Sequence, residues 1–371
     1  MLAVAGRCVN GRKSVHCLPV DESESRMVFT SSDSLPLSVL ELSMGRSGEP
    51  LSAALQESVQ LARGVEQAGY ARFWIGENHN VPSLASTAPA VMIAAVASAT
   101  SHIRVGAGCV LLCNHSPLAV AEQYRTLNAL FPERVDLGLG RSRGGSLITS
   151  LALGRERAAS SGEDFIERIG LLFGFVDGLP EGHLFAGVRA YPDAVALPDV
   201  WIFGASGQSA ETAALAGGGF GFAGHLAEDL GPAGPAIARY RSRFEKNGGR
   251  TEPYAAASVQ VFCAETDEAA SGLADAFALS WARFKAEGVG FLPTAAEAAA
   301  AAACVPGFAE SRARLNRIGA IGGPGRVVSR LREIMRETGA DELILTTGIH
   351  DPARREACFS LIAEEWRRSD P

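Results

Sequence analysis

The sequence predicts a closed (β/α)8 barrel of the TIM type, an α/β fold, with an insertion after its seventh strand. Three observations carry this. Strand-like apolar runs alternate with helical patterns between residues 37 and 368, as parallel βα units do. Several of the runs are short and apolar on both faces, which a sheet covered on both sides requires. Eight such units over roughly 330 residues suit a barrel better than an open doubly wound sheet. A chain of 371 residues has the length of two domains, yet α/β barrels use it as one. Residues 35–371 are therefore read as a single barrel domain.

The elements follow in order. Residues 1–34 mix Ser, Asp, Glu and Gly without a sustained period, and are read as a disordered extension in which Met27 is an alternative start. Strand 1 is LSVLEL (37–42), with a helical pattern over 51–69. Strand 2 is RFWIG (72–76), followed by a helix over 86–100 that is apolar almost all round and so needs cover on more than one side. Strand 3 (103–112) precedes a helix over 117–130, and strand 4 (134–139) one over 163–177. Strand 5 (199–204) leads to 208–217, strand 6 (219–224) to 232–247, and strand 7 (254–264) to 267–287. The insertion is placed at about 288–320 and holds TAAEAAAAAAC (294–304), a strong helix former. Helices over 324–339 and 353–368 flank strand 8 (341–347). No fixed period indicates a solenoid.

Strand 2 ends in WIGENHN (74–80), where an apolar run gives way to Glu77, Asn78, His79 and Asn80. Alone, the stretch reads as a polar turn. In a barrel, however, chemistry sits at the C-terminal ends of the strands. That rule gathers GENHN, NHSP (114–117), GRSRGG (140–145), GASGQS (204–209) and His225 at one mouth. GASGQSAETAAL joins strand 5 to a helix through Gly and Ser, so first-turn amides and the helix dipole face an anion. Ser206 and Ser209 add hydroxyls, and Arg141 on the neighbouring strand end adds charge. A G-x-G-x-x-G fingerprint and a Walker lysine are absent, so a mononucleotide fits better than a dinucleotide. No G-x-S-x-G elbow points to a serine hydrolase.

Composition narrows the field further. Hydrophobic residues make up 47%, enough for a large core, and 34 basic against 41 acidic residues give a net charge of −7. Such mixed charge carries no footprint for nucleic acid. No apolar run reaches the length of a membrane span, and Arg7, Arg12 and Lys13 lack a following apolar segment that would make a signal peptide. The seven cysteines (8, 17, 109, 113, 263, 304, 358) are scattered without C-x-x-C. They read as reduced, buried thiols of a cytoplasmic protein, and no metal site follows from them.

Over residues 35–368 the chain resembles the bacterial-luciferase-like, flavin-dependent monooxygenases. The matching stretches are LSVLELS, ARGVEQAGYARFWIGENHN, ATSHIRVGAGCVLLCNHSPLAVAEQYRTLNALFPERVDLGLGR, FGASGQSAETAALAGGGFGFAGH and GADELILTTGIHDPARR. The resemblance implies reduced FMN at the mouth, supplied by a separate flavin reductase, and O2 forming a C4a-hydroperoxyflavin that oxygenates a small organic substrate. It implies that Arg141, Ser206, Gly207 and Ser209 hold the FMN phosphate, and that Gly108 and Cys109 form a non-prolyl cis peptide beside the ring. Trp281 is its substrate-side candidate, and His225 joins it from its place at the end of strand 6. His79 is similar to the second histidine of the family's Glu-His-His, and Asn78 replaces the first. An amide cannot shuttle a proton, so His79 is expected to titrate, Asn78 to hydrogen-bond the reacting oxygen, and Glu77 to pair with a cation such as Arg141. His115 and Ser116 fall in the strand-3 loop that lies near the flavin in the family, His115 being read first as a locally satisfied loop histidine, and Gly140 occupies the family's reactive-thiol position. An insertion acting as a lid would keep water from the flavin. A homodimer across the helix at 86–100 is expected, with a heterodimer as the alternative. Hydride transfer with FMN or F420, and a non-catalytic flavin-binding subunit, stand as alternatives. An Ala-, Arg- and Gly-heavy composition associates the chain with the tailoring of natural products such as polyketides, by analogy only.

Overall fold

The alternation of apolar runs and helices becomes a closed ring of eight parallel strands. They are β1 (Leu35–Glu41), β2 (Tyr70–Ile75), β3 (Arg104–Ala107), β4 (Val135–Gly140), β5 (Asp199–Gly204), β6 (Gly219–Phe222), β7 (Ala255–Cys263) and β8 (Glu342–Thr346). Each pairs with the next, and β8 closes the ring by pairing with both β7 and β1. The computed structural model describes residues 35–142, 144–154, 162–246, 250–301 and 304–369. The extension expected over 1–34, with Cys8 and Cys17, lies outside them.

Period-two alternation sends one set of side chains outward, against the helices, and the other into the barrel. The inward set is layered. Near the N-terminal ends lies a charged layer: Asp136 is bonded by Arg104 at 2.6 and 3.0 Å and approached by Arg72 at 3.3 Å. Arg72 also reaches Glu342, which accepts hydrogen bonds from Ser38 and Tyr254 as well. Burial works against the charge on Arg72, but Glu342 and Asp136 more than offset it and raise its pKa above the usual value. Above this layer sit Leu40, Trp74, Trp201, Ala256 and Ile344, all buried, with Phe203 5.2 Å from Trp74. Glycine makes room for these rings. A Cβ on Gly106 would lie 2.6 Å from Trp74, one on Gly219 2.5 Å from Trp201, and one on Gly221 2.2 Å from Phe203.

Two short strands lie off the ring. Val110–Leu111 continues past a cis peptide at Gly108–Cys109 and pairs with β4. Gly319–Gly322 pairs with the far end of β7. Between β7 and that returning strand come helices Asp267–Glu287, Ala295–Ala301 and Phe308–Ile318. The helix at 267–287, assigned from periodicity to the seventh βα unit, thus precedes the return. Helix Pro324–Thr338 follows it and leads into β8. The inserted segment is stitched to loops at the C-terminal end of the barrel: Leu292 bonds Gly45 and Ser47 at 2.9 Å, and Gly290 bonds Ser83 at 3.1 Å. Among the described residues no helix is long and apolar enough to cross a membrane.

Candidate functional site

The loop after β2 carries Glu77 into the protein, where its side chain has no exposed surface. A buried carboxylate needs hydrogen-bond donors, and three are supplied. The Leu111 amide donates to Oε2 at 3.0 Å, and the Nε2 atoms of His79 and His115 each lie 2.7 Å from Oε1. The backbone locks the arrangement, because the His79 amide bonds the Gly144 carbonyl at 3.0 Å and the Asn78 amide bonds Ser86 at 2.9 Å. Loops after β2, β3 and β4 are joined in this way. Two sequence expectations are corrected here. Glu77 does not pair with Arg141, which donates instead to Gln208 at 2.7 Å. His115 is not satisfied within its own loop. A 3-10 turn at Leu112–Asn114 brings its ring onto Glu77, taking the place expected for a cation. The donor atoms of this trio lie within 4.8 Å of one another, and its 2.7 Å contacts are hydrogen-bond lengths.

Cys109 lies beside this cluster. A Cβ added to Gly140 would sit 2.2 Å from its Sγ, so the Cys109 sulfur occupies the space that a side chain at 140 would take. Burial, and secondarily Glu77, push the Cys109 pKa up to about 12. It is a thiol and not a nucleophilic thiolate. Of the other described cysteines, Cys113, Cys263 and Cys358 are buried, whereas Cys304 is exposed, against expectation.

Across the mouth, helix Gly207–Leu215 starts at Ser206, whose hydroxyl accepts from the Ser209 amide at 3.3 Å and lies 3.1 Å from the Ser209 hydroxyl. No acidic residue sits in its first turn. Arg141, held on Gln208 of that turn, lines a small cleft with Phe165, Ser209 and Thr212. Guanidinium, hydroxyls and first-turn amides form a donor set suited to a phosphate monoester.

The sequence profile described as luciferase-like monooxygenase matches residues 38–342. The chain belongs to that family. It is 36% identical over 337 residues to the uncharacterized protein YvbT of Bacillus subtilis, covering 89% of this chain and 96% of that protein. It is 32% identical over 328 residues to a luciferase-like monooxygenase of Escherichia coli, covering 88% and 96%. The crystal structure of apo-MsnO8 superposes with a TM-score of 0.80 at 35% identity, covering 90% of this chain and 99% of that one.

As a luciferase-like monooxygenase, the protein is an oxidoreductase whose remaining site candidates meet through a residue the sequence did not flag. His225 follows β6 on a 3-10 turn, and its Nδ1 lies 2.7 Å from the Ser258 hydroxyl of β7. Burial, with Arg314 adding to it, lowers the His225 pKa to about 4, so its ring is neutral near pH 7. Arg314 donates to the His225 carbonyl at 2.7 Å and stacks 5.0 Å from the Trp281 ring. Trp281 and Arg314 line a cavity of about 260 Å³ with Lys285, Ser311 and Glu228. Arg314 belongs to a polar helical stretch of the insertion, and neither motif nor period marks it.

Proposed function

We propose that this monooxygenase is the oxygenating component of a two-component system, using reduced FMN and O2 to oxygenate a small organic molecule of the natural-product class. The observation that carries the cofactor is the donor set at the phosphate end: Arg141, Ser206, Ser209 and the amide of Gly207 at a helix start free of acids. These residues would hold the FMN phosphate, and Gly108 with Cys109 would border the ring. Bound reduced FMN supplies the two electrons that split dioxygen between substrate and water. The chain's own contribution is proton management. His79, fixed through Nε2 on Glu77, offers Nδ1 to a reacting oxygen, and Asn78 orients that oxygen by hydrogen bonding. Trp281 and His225 would bound the substrate side, with the inserted segment as cover that excludes water.

Arg141→Ala tests the cofactor. The loss of a charge-assisted contact to phosphate is expected to weaken reduced FMN binding by about 10-fold or more, and riboflavin binding hardly at all. Anaerobic titration of both flavins checks it, and equal losses would remove Arg141 from the phosphate site.

The proposal includes a cytoplasmic homodimer. On helix Pro89–Ala99 the outward positions are Val91, 68% exposed, and the small residues Ala95 and Ser98, a smooth face that a second copy would cover. Light scattering at micromolar concentration should give twice the chain mass. A monomer there would rule this face out as a stable interface.

A further inference from the structure

We infer that His115 supplies the second imidazole of this site, and that His79 and His115, bonded to the same oxygen of Glu77, hold a single proton between them. This deepens the proposed function and rests on it only where turnover is concerned.

Asn78 follows Glu77 in the loop after β2. The position after Glu77 carries an amide, so the GENHN loop brings one imidazole to the site. The second comes from another strand. Its Nε2 reaches Glu77 Oε1 at 2.7 Å, the same length that His79 makes to the same atom. With Oε1 as acceptor, each ring presents N–H to it from Nε2, leaving Nδ1 as the nitrogen that gains or loses a proton. The first proton added to either ring is balanced by the carboxylate. A second would place two cations on one buried anion, with ring centroids 6.3 Å apart. Interacting groups of this kind lose their protons in two steps that belong to the pair.

Among the described residues, Glu77 is the anion shown in contact with the two rings. Cys109 is a neutral thiol. Tyr124 is a buried phenol whose pKa burial, then Glu77 and Cys109, raise well above normal. Arg168 bonds the His115 carbonyl at 3.1 Å and is itself paired with Asp164 at 3.0 Å. The two rings differ in access: the His115 side chain is 31% exposed and that of His79 13%. His115 is thus the more accessible ring, and it acts on His79 through the Glu77 oxygen they share. It is a positioning residue for His79.

The test uses flavin-free, full-length protein and nitrogen-15 histidine ring spectra over pH 4–9. Parent protein is compared with His115→Gln, His115→Ala, His79→Gln and Glu77→Gln. Expected are Nε2–H tautomers for both rings, and two protonation steps separated by more than about one pH unit. Removing either histidine should leave the other titrating in one step. Glu77→Gln should lower both. His115→Gln keeps an amide donor for Oε1 without a titrating group, so it should hold the loop as in the parent while abolishing the two-step behaviour. Rings that titrate independently, each unmoved by loss of the other, would overturn the inference. So would Nδ1–H tautomers, which turn both Nε2 lone pairs inward as a divalent cation requires. If reduced FMN fails to bind while the rings titrate in two steps, the flavin reading falls and this one stands.

Discussion

Replacing His79 by alanine is expected to lower turnover by about 10²–10⁴-fold, the usual magnitude when a general acid or base is lost. FMN affinity should hold, because the proposed phosphate donors lie on the loops after β4 and β5 and His79 lies after β2. The split between the two readouts is the point. Its Nε2 is engaged by Glu77 at 2.7 Å, so the variant removes a titrating nitrogen and also one of the three donors that satisfy a buried carboxylate. A His79→Gln variant, which can still donate to Glu77, separates these roles. It should remain as stable as the parent and as slow as the alanine variant. Labelled-oxygen incorporation, followed by mass, measures the rate. Product formed by His79→Ala at the parental rate would return WIGENHN to a polar turn.

Asp136→Asn is the largest stability effect we expect. The carboxylate has no exposed surface and is shared by Arg104 and Arg72. Its removal leaves Arg104 without its carboxylate and Arg72 with Glu342 alone; breaking a buried pair costs up to about 3–5 kcal/mol. The urea midpoint should fall accordingly, with the slope of the transition unchanged. By contrast, Arg241→Ala breaks an exposed pair with Asp341 at 2.9 Å and should cost no more than about 1 kcal/mol. Equal shifts for the two would mean that the charged layer is not what holds the base of the barrel.

The barrel was legible because its strands are apolar on both faces and its helices keep a clear period. Helices 117–130 and 267–287 have the bounds periodicity assigns. What period cannot show is which helix packs where. Helix 267–287 reads as the barrel helix of the seventh unit, and the strand Gly319–Gly322 that returns onto β7 after it goes unread. That strand, GAIG, is four residues with two glycines, too short and too poor in branched residues to stand out. At the site, the rule that gathers the C-terminal ends of strands places the loops after β2, β3 and β4 together, and the structure joins them by hydrogen bonds. Pairing between loops was not legible. Glu77 has ion-pair candidates in Arg141, His79 and His115, and sequence has no means of ranking them. The local shape of Leu112–Asn114 decides for His115.

The aromatic and charged layers have a further consequence, for traffic. With Trp74, Trp201 and Phe203 interleaved with glycine above a bonded carboxylate–guanidinium floor, the barrel axis is stoppered from below. Nothing can therefore pass along the axis from the N-terminal face. If the proposed function holds, spent cofactor, product and the next substrate all pass through the loops at the C-terminal end, and product should compete with both incoming partners.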